Sequence, residues 1–240
     1  MPAPQTNIEK KFKYLNYWPL PYVGVSILNS FESCPVSFYY RYYHDIVFPP
    51  SDKMLFGTVF QDALTEKYKG KEYLPIINGS ELTKGEKVKA LNLLDKSNEF
   101  KDVLHYDEYM FTDLGIGIPI RFAADLVTKH EIVENKTTTG FYHGGMINEQ
   151  KQGSLYHACI KKLLGLDLPI KYQIFNKTKL DCELITLNKT DEDSKLVIDW
   201  MREILSRIEV CYNSGNWITK THGKFSCNLG KACPILNSYV

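Results

Sequence analysis

The stretch FAADLVTKHEIVENKTTT, Phe122 to Thr139, sets an aspartate, a glutamate and a lysine among apolar residues that otherwise read as two strands of a buried sheet. Burying an unpaired charge is costly, so three of them in strands call for something that offsets the cost. A turn centred between Lys129 and His130 folds PIRFAADLVT back onto HEIVENKT and places Asp125 directly opposite Glu134 on one face. Alternation puts Lys136, two residues after Glu134, on that same face, across from the small Ala123. Two like charges facing each other are destabilising unless a cation lies between them, and Mg²⁺ or Mn²⁺ prefers such oxygen ligands.

By themselves these residues admit two readings. In the first, the carboxylates hold one or two metal ions that polarise a phosphodiester and lower the pKa of a bound water. The lysine then orients that water or stabilises the developing negative charge. In the second, the three charges form a solvent-facing salt-bridge cluster on an edge hairpin.

Working outward, the segments before Val103 are helical. Ser26 to Asp45 (SILNSFESCPVSFYYRYYHD) has apolar and aromatic positions at helical spacing, with Ser30 as a cap and Pro35 opening a second helix. MLFGTVFQDALTEKYKG predicts a helix ending near Gly70, and GEKVKALNLLDKSNEF another. After Val103, EYMFTDLG, PIRFAADLVT, HEIVENKT, PIKYQIFNKT and DCELITLN are short, rich in β-branched and aromatic residues, and bounded by turn formers. INEQKQGSLYHACIKKLLG, between the third and fourth, is an apolar-periodic helix, and a long helix follows from about Asp191 to Cys211. The order predicts an α/β fold with a mixed central β-sheet flanked by helices and a helical N-terminal part. Residues 1–25 read as a lead-in and 26–240 as one domain. Within it, 26–102 is helical, 103–190 is the sheet core, and 191–240 is the C-terminal helix with a cysteine-containing tail.

Composition narrows the function classes. The 240 residues carry 29 basic and 28 acidic side chains, a formal charge of +1, so a polyanion would meet a local basic surface and not a global field. No apolar run has the length of a signal peptide's core or a membrane span, which predicts a soluble, intracellular, cytoplasmic protein without membrane contact. In that setting the six cysteines point to metal ligation or burial, not to a disulfide framework. The Asn-x-Ser/Thr sequons at Asn78, Asn135, Asn176 and Asn188 read as chance, one of them lying inside the charged stretch. GIGIP near Gly115 is a turn between strands, and the aromatic run FYYRYYHD from Phe38 is chiefly core.

The pattern D-(x8)-E-x-K across a hairpin resembles the PD-(D/E)xK nuclease superfamily, in the branch of RecB-type and AddB-type nuclease domains and CRISPR-associated adaptation exonucleases. Other segments agree in order. SFESCPVSFYYRYY is similar to that branch's N-terminal segment, GTVFQDAL to its GT-containing helix, EYMF to a strand with an extra acidic residue, and QGSLY to its Q-x-x-x-Y motif. The resemblance implies a restriction-endonuclease-like core and a Mg²⁺- or Mn²⁺-dependent DNA exonuclease of recombination, repair or replication, with a structure-selective endonuclease as the alternative. It implies Asp125, Glu134 and Lys136 as catalytic residues, with Asp125, Glu134, Glu108 and Gln61 toward metal. Gln152 and Tyr156, which share a helix face, are implied toward single-stranded or duplex DNA ends.

Two positions depart from the pattern. Gln61 stands where the branch has a histidine ligand, and as a neutral amide it is equally an ordinary polar helix residue. The resemblance also implies an iron–sulfur cluster on Cys34, Cys227 and Cys233, but the fourth place falls on Lys224, so the cysteines are equally unligated. Both departures keep open a catalytically silent nucleic-acid-binding protein.

Overall fold

The computed structural model describes residues 15–46, 52–140 and 151–217. By internal contacts the chain divides into a unit of Met1–Pro49, Phe111–Arg121 and Lys195–Val240 and a unit of Pro50–Met110 and Phe122–Ser194.

In the first unit, α1 (Val25–Ser33) and α2 (Pro35–Tyr43) meet at Cys34, whose extended backbone breaks the helix. Proline at the first position of α2 needs no N–H there, as the sequence suggests. Ser30 is not a cap: it lies inside α1, and its hydroxyl donates back to the Ile27 carbonyl. The capping acceptor is the Cys34 thiol, 3.4 Å from the Ser37 amide nitrogen. Phe31 and Phe38 are fully buried and lie edge to face at 5.5 Å between centroids, and Trp217 stacks on Phe38 and Tyr39. Within the aromatic run Phe38 is buried, whereas Tyr39, Tyr40, Tyr42 and Tyr43 are half-buried, so the run is a core feature of this unit only in part.

The second unit begins with α3 (Asp52–Tyr68), α4 (Leu74–Gly79) and α5 (Lys84–Leu94), the last opened by a Thr83–Glu86 capping box. Gly70 follows α3 in the left-handed region at φ 68°, the conformation that ends a helix cheaply with glycine. The strands of the two units are β1 (Val103–Tyr106), β2 (Met110–Thr112), β3 (Ile120–Phe122), β4 (Leu126–Thr128), β5 (Ile132–Thr138), β6 (Ile170–Asn176) and β7 (Asp181–Leu187), with most of β2 and β3 in the first unit. β2 and β3 pair separately, joined through a turn in which Gly115 and Gly117 take positive φ. The other five form a mixed sheet in the order β1-β4-β5-β6-β7, all antiparallel except the β5–β6 pair. A parallel pair needs a crossover, and α6 (Lys151–Leu164) lies in it. A long helix, α7 (Asp191–Ser214), follows β7, and from Lys195 onward it belongs to the first unit.

Alternation along β6 divides the sheet's two faces. Phe175 points to the side of α3, where its ring meets Phe60 at 4.7 Å within a core that includes Leu64, Ile77, Leu93 and Leu94. Tyr172 and Ile170 point to the side of α6. The sheet is thus flanked by helices on both faces, as the sequence predicts.

Two strand assignments differ from the sequence reading. VLHY forms an edge strand, β1, that the composition-based reading passes over. PIRFAADLVT is not one strand but two, β3 and β4, in different sheets. The break at Ala123–Asp125 has a hydrogen-bonding cause: the Ala123 carbonyl accepts from the Tyr156 hydroxyl, and the Asp125 carbonyl accepts from the Asp107 amide. No helix among the described residues is long and apolar enough to cross a membrane.

Candidate active site

The hairpin register settles the central question of the charged stretch. Leu126 pairs with Val133 and Val127 with Ile132, and the Thr128 amide closes a tight turn onto the Glu131 carbonyl at 2.9 Å. The Thr128 hydroxyl accepts from the His130 and Glu131 amides, which locks that turn. One step outward in this register, Asp125 arrives beside Glu134, just before β4 begins. Its carboxylate accepts from the Asn135 amide at 2.5 Å, so β4's lead-in is stitched to β5 through a side chain.

Glu134 is almost fully buried, at 4% exposure, which excludes a solvated edge cluster for it. Its Oε1 receives the Lys136 ammonium at 2.5 Å, whereas its Oε2 is buried without a hydrogen-bond partner among the described residues. Burial of the carboxyl group, reinforced by the Glu134 charge, pushes the Asp125 pKa well above the ordinary carboxylate value.

The charged pair continues onto α6. Lys136 Nζ also donates to Gln152 Oε1 at 3.0 Å, Gln152 Nε2 donates to the Tyr156 hydroxyl at 2.6 Å, and that hydroxyl donates to the Ala123 carbonyl. A single chain of bonds thus runs from Glu134 through Lys136, Gln152 and Tyr156 back to the residue two before Asp125. Residues four apart on a helix share a face, and both Gln152 and Tyr156 are used. Gln152 keeps partial solvent access, but Tyr156 does not stand at the mouth of a cleft: it is 4% exposed, with its hydroxyl directed to the backbone. Its burial, with the nearby Glu134 and Asp125 charges, holds its phenol well above the usual tyrosine value, so it remains a neutral donor.

Two expected ligands are not brought to this group. Glu108 is exposed beyond the end of β1 and faces His105 at 3.8 Å. Gln61, on α3, donates to Thr65 one turn along, and no contact joins it to the acidic pair among the described residues. One further carboxylate acts on Asp125, that of Asp107, the residue before Glu108, whose charge adds to the upward shift of the Asp125 pKa. Asp107 has φ 42°, a turn conformation that its short side chain tolerates, and its amide holds the Asp125 carbonyl. The sequence signal for Asp107 was the plain presence of an acid beside Glu108.

Among the described residues, no three His, Cys, Asp or Glu side chains stand together as a complete metal cage. The donor set nevertheless fits Mg²⁺ or Mn²⁺, which keep several waters and are bound through one or two carboxylates plus substrate phosphate. The unpartnered Glu134 Oε2 beside Asp125 is the atom that such an ion would satisfy. The cluster expectation rests on Cys227 and Cys233, which lie outside the described residues. Cys34 is partly accessible, while Cys211 is buried with its thiol pushed up by that burial.

No protein-family model matches this chain, and no curated protein sequence does either. Among solved structures, the crystal structure of a candidate exonuclease from Eubacterium rectale aligns over 82% of this chain and 82% of that one, at 14% identity and a TM-score of 0.61. A second structure, that of SSO0001, aligns over 88% of this chain and 95% of that one at 12% identity and a TM-score of 0.37, too loose to bear on the fold. The first likeness establishes that the chain shares the α/β fold of that structure.

Proposed function

We propose that this chain is a metal-dependent DNA nuclease that hydrolyses phosphodiester bonds, acting as an exonuclease at single-stranded or duplex ends in recombination, repair or replication. The observation that carries the reading is the buried Glu134 carboxylate, one oxygen neutralised by Lys136 and the other unpartnered, set beside an Asp125 that its surroundings hold reluctantly ionised. The shared fold with a candidate exonuclease supports it.

Asp125 and Glu134 would hold Mg²⁺ or Mn²⁺, which when bound supplies charge neutralisation at the phosphate and acidifies a water. Asp107 adds negative charge near Asp125, which favours a cation between the two ligands. Lys136 contributes a fixed ammonium where negative charge develops on the phosphate, held in place by Glu134 on one side and Gln152 on the other. Gln152, the accessible member of the helix pair, would contact the substrate. Tyr156 lies behind it and fixes its amide: with Nε2 committed to Tyr156, Oε1 is turned to the lysine.

End-labelled single-stranded and duplex DNA, incubated with Mn²⁺, with Mg²⁺ or with EDTA, tests the proposal. Cleavage should require the divalent ion, and Asp125→Ala, Glu134→Ala and Lys136→Ala should each lower kcat by about 10²–10³-fold. Closed circular DNA should survive if the activity is exonucleolytic and be cut if it is endonucleolytic. DNA binding with no cleavage under any condition would replace the nuclease with a silent binding protein.

A further inference from the structure

Asn135, the residue between Glu134 and Lys136, lies at the centre of the proposed site without contributing its side chain to it. Its backbone N–H donates to Asp125, and its two chain neighbours are the buried acid and the lysine. Any rotation of Asn135 about the strand axis therefore displaces three functional groups together. What fixes it lies on the opposite face of the sheet, toward α3 and α5.

Directly opposite Asn135 in the parallel register is Gln173, a polar side chain with no solvent exposure. Its Oε1 accepts from the Asn98 backbone amide at 2.6 Å and from Asn98 Nδ2 at 2.9 Å. A backbone N–H can only donate, so the orientation of the Gln173 amide is determined, and its Nε2 faces Asn135 Oδ1 at 2.8 Å and the Tyr68 hydroxyl at 2.5 Å. Asn135 Nδ2 has no hydrogen-bond partner among the described residues, which leaves Gln173 as the anchor of that amide. Two residues along the same strand and face, Phe175 fills the equivalent space with an apolar ring. A buried, fully satisfied amide in such a place does what a ring cannot, which is to specify one arrangement of the neighbouring strand.

We infer that Gln173 is a positioning residue for the proposed active site, holding Asn135 so that its N–H meets Asp125 while Glu134 and Lys136 are presented on the other face. This inference rests on the nuclease reading above. Gln173 touches neither substrate nor metal; it acts through Asn135, with Asn98 and the C-terminal turn of α3 as its footing.

The test compares Gln173→Met with Tyr68→Phe, which removes one acceptor from the network but leaves the Asn135 bond intact. Mn²⁺ affinity is measured calorimetrically without DNA, and kcat and KM are measured on end-labelled DNA. Gln173→Met should lose about 10- to 100-fold in Mn²⁺ affinity and in kcat, with KM for DNA unchanged because the α6 contacts are untouched. Tyr68→Phe should lower the melting temperature yet keep both quantities within about twofold of the parent. If Gln173→Met shows no melting transition, Asn135→Leu takes its place and should give the same losses. If Gln173→Met folds, adding it to Asn135→Leu should cost no further Mn²⁺ affinity or kcat, since both break the same Gln173–Asn135 bond through which Gln173 acts on the site. Parent-like Mn²⁺ affinity and kcat in a folded Gln173→Met, or losses that add in the double variant, would overturn the inference and leave the nuclease intact. A parent protein that binds Mn²⁺ but never cuts would instead end the nuclease reading, and the Mn²⁺ comparison alone would then decide the positioning role.

Discussion

At the scale of single residues, the site stores electrostatic strain that a bound cation would relieve. Asp125 has a folded-state pKa raised by burial and by Glu134, so the folded protein binds its proton more tightly than the unfolded chain does. The sign follows: without metal, ionised Asp125 destabilises the fold above its raised pKa, and that penalty fades as pH falls through it toward the ordinary carboxylate value. Metal-free protein should therefore melt higher at mildly acidic pH than at neutral pH. Asp125→Asn should remove the acid-side gain and raise the neutral-pH melting temperature by about 2–4 °C for each kcal/mol of repulsion relieved, while abolishing cleavage. Melting curves in EDTA across pH check both halves, and an Asn variant that melts lower than the parent at neutral pH would contradict them. Glu134 and Lys136 were legible from strand alternation alone. Asp107 was not, because the sequence offers Asp107 and Glu108 side by side without saying which of the two acts on Asp125.

At the scale of elements, the readable parts were those governed by local rules. The Lys129–His130 turn fixes the β4–β5 register through a hydroxyl and a backbone bond within four residues, so Asp125 opposite Glu134 could be derived without tertiary information. The split of PIRFAADLVT could not, since it depends on Tyr156 reaching the Ala123 carbonyl from a helix 33 residues away in sequence. The glycine in QGSLY belongs to the same category. A Cβ on Gly153 would stand 2.8 Å from the Tyr172 hydroxyl and 3.2 Å from Ile170 Cδ1, so α6 lies on β6 at a distance that glycine alone permits. Alanine gains about 1 kcal/mol of helix propensity there, but overpacking against a fully buried ring costs about 1–3 kcal/mol. Because α6 carries Gln152 and Tyr156 on either side of this contact, Gly153→Ala should destabilise the protein by up to about 2 kcal/mol net and also weaken cleavage, whereas the same change at exposed Gly85 of α5 should do neither. Urea unfolding midpoints and initial rates for the two variants separate a packing effect from a general intolerance of substitution.

At the scale of the whole molecule, charge and fold place limits on how the proposed substrate is held. With 29 basic and 28 acidic residues, the chain has no long-range field to gather a polyanion, and the carboxylates of the site repel phosphate until a cation intervenes. Affinity must then come from a small number of close contacts. Each neutralised phosphate adds about −0.9 to the slope of log affinity against log salt on duplex DNA and about −0.7 on a single strand. A protein that relies on a broad basic groove shows a steep slope, as six to ten phosphates release their counterions. Here the slope should be no steeper than about −4, and binding should strengthen when Mn²⁺ is added even though the added ions screen ordinary phosphate contacts. Fluorescence anisotropy with Lys136→Ala, which slows cleavage but keeps both carboxylates at the site, measures the slope, and adding Mn²⁺ at fixed ionic strength measures the second effect. A slope near −8, or indifference to Mn²⁺, would mean that DNA is gathered by an extended cationic surface and that the acidic pair is incidental to its capture.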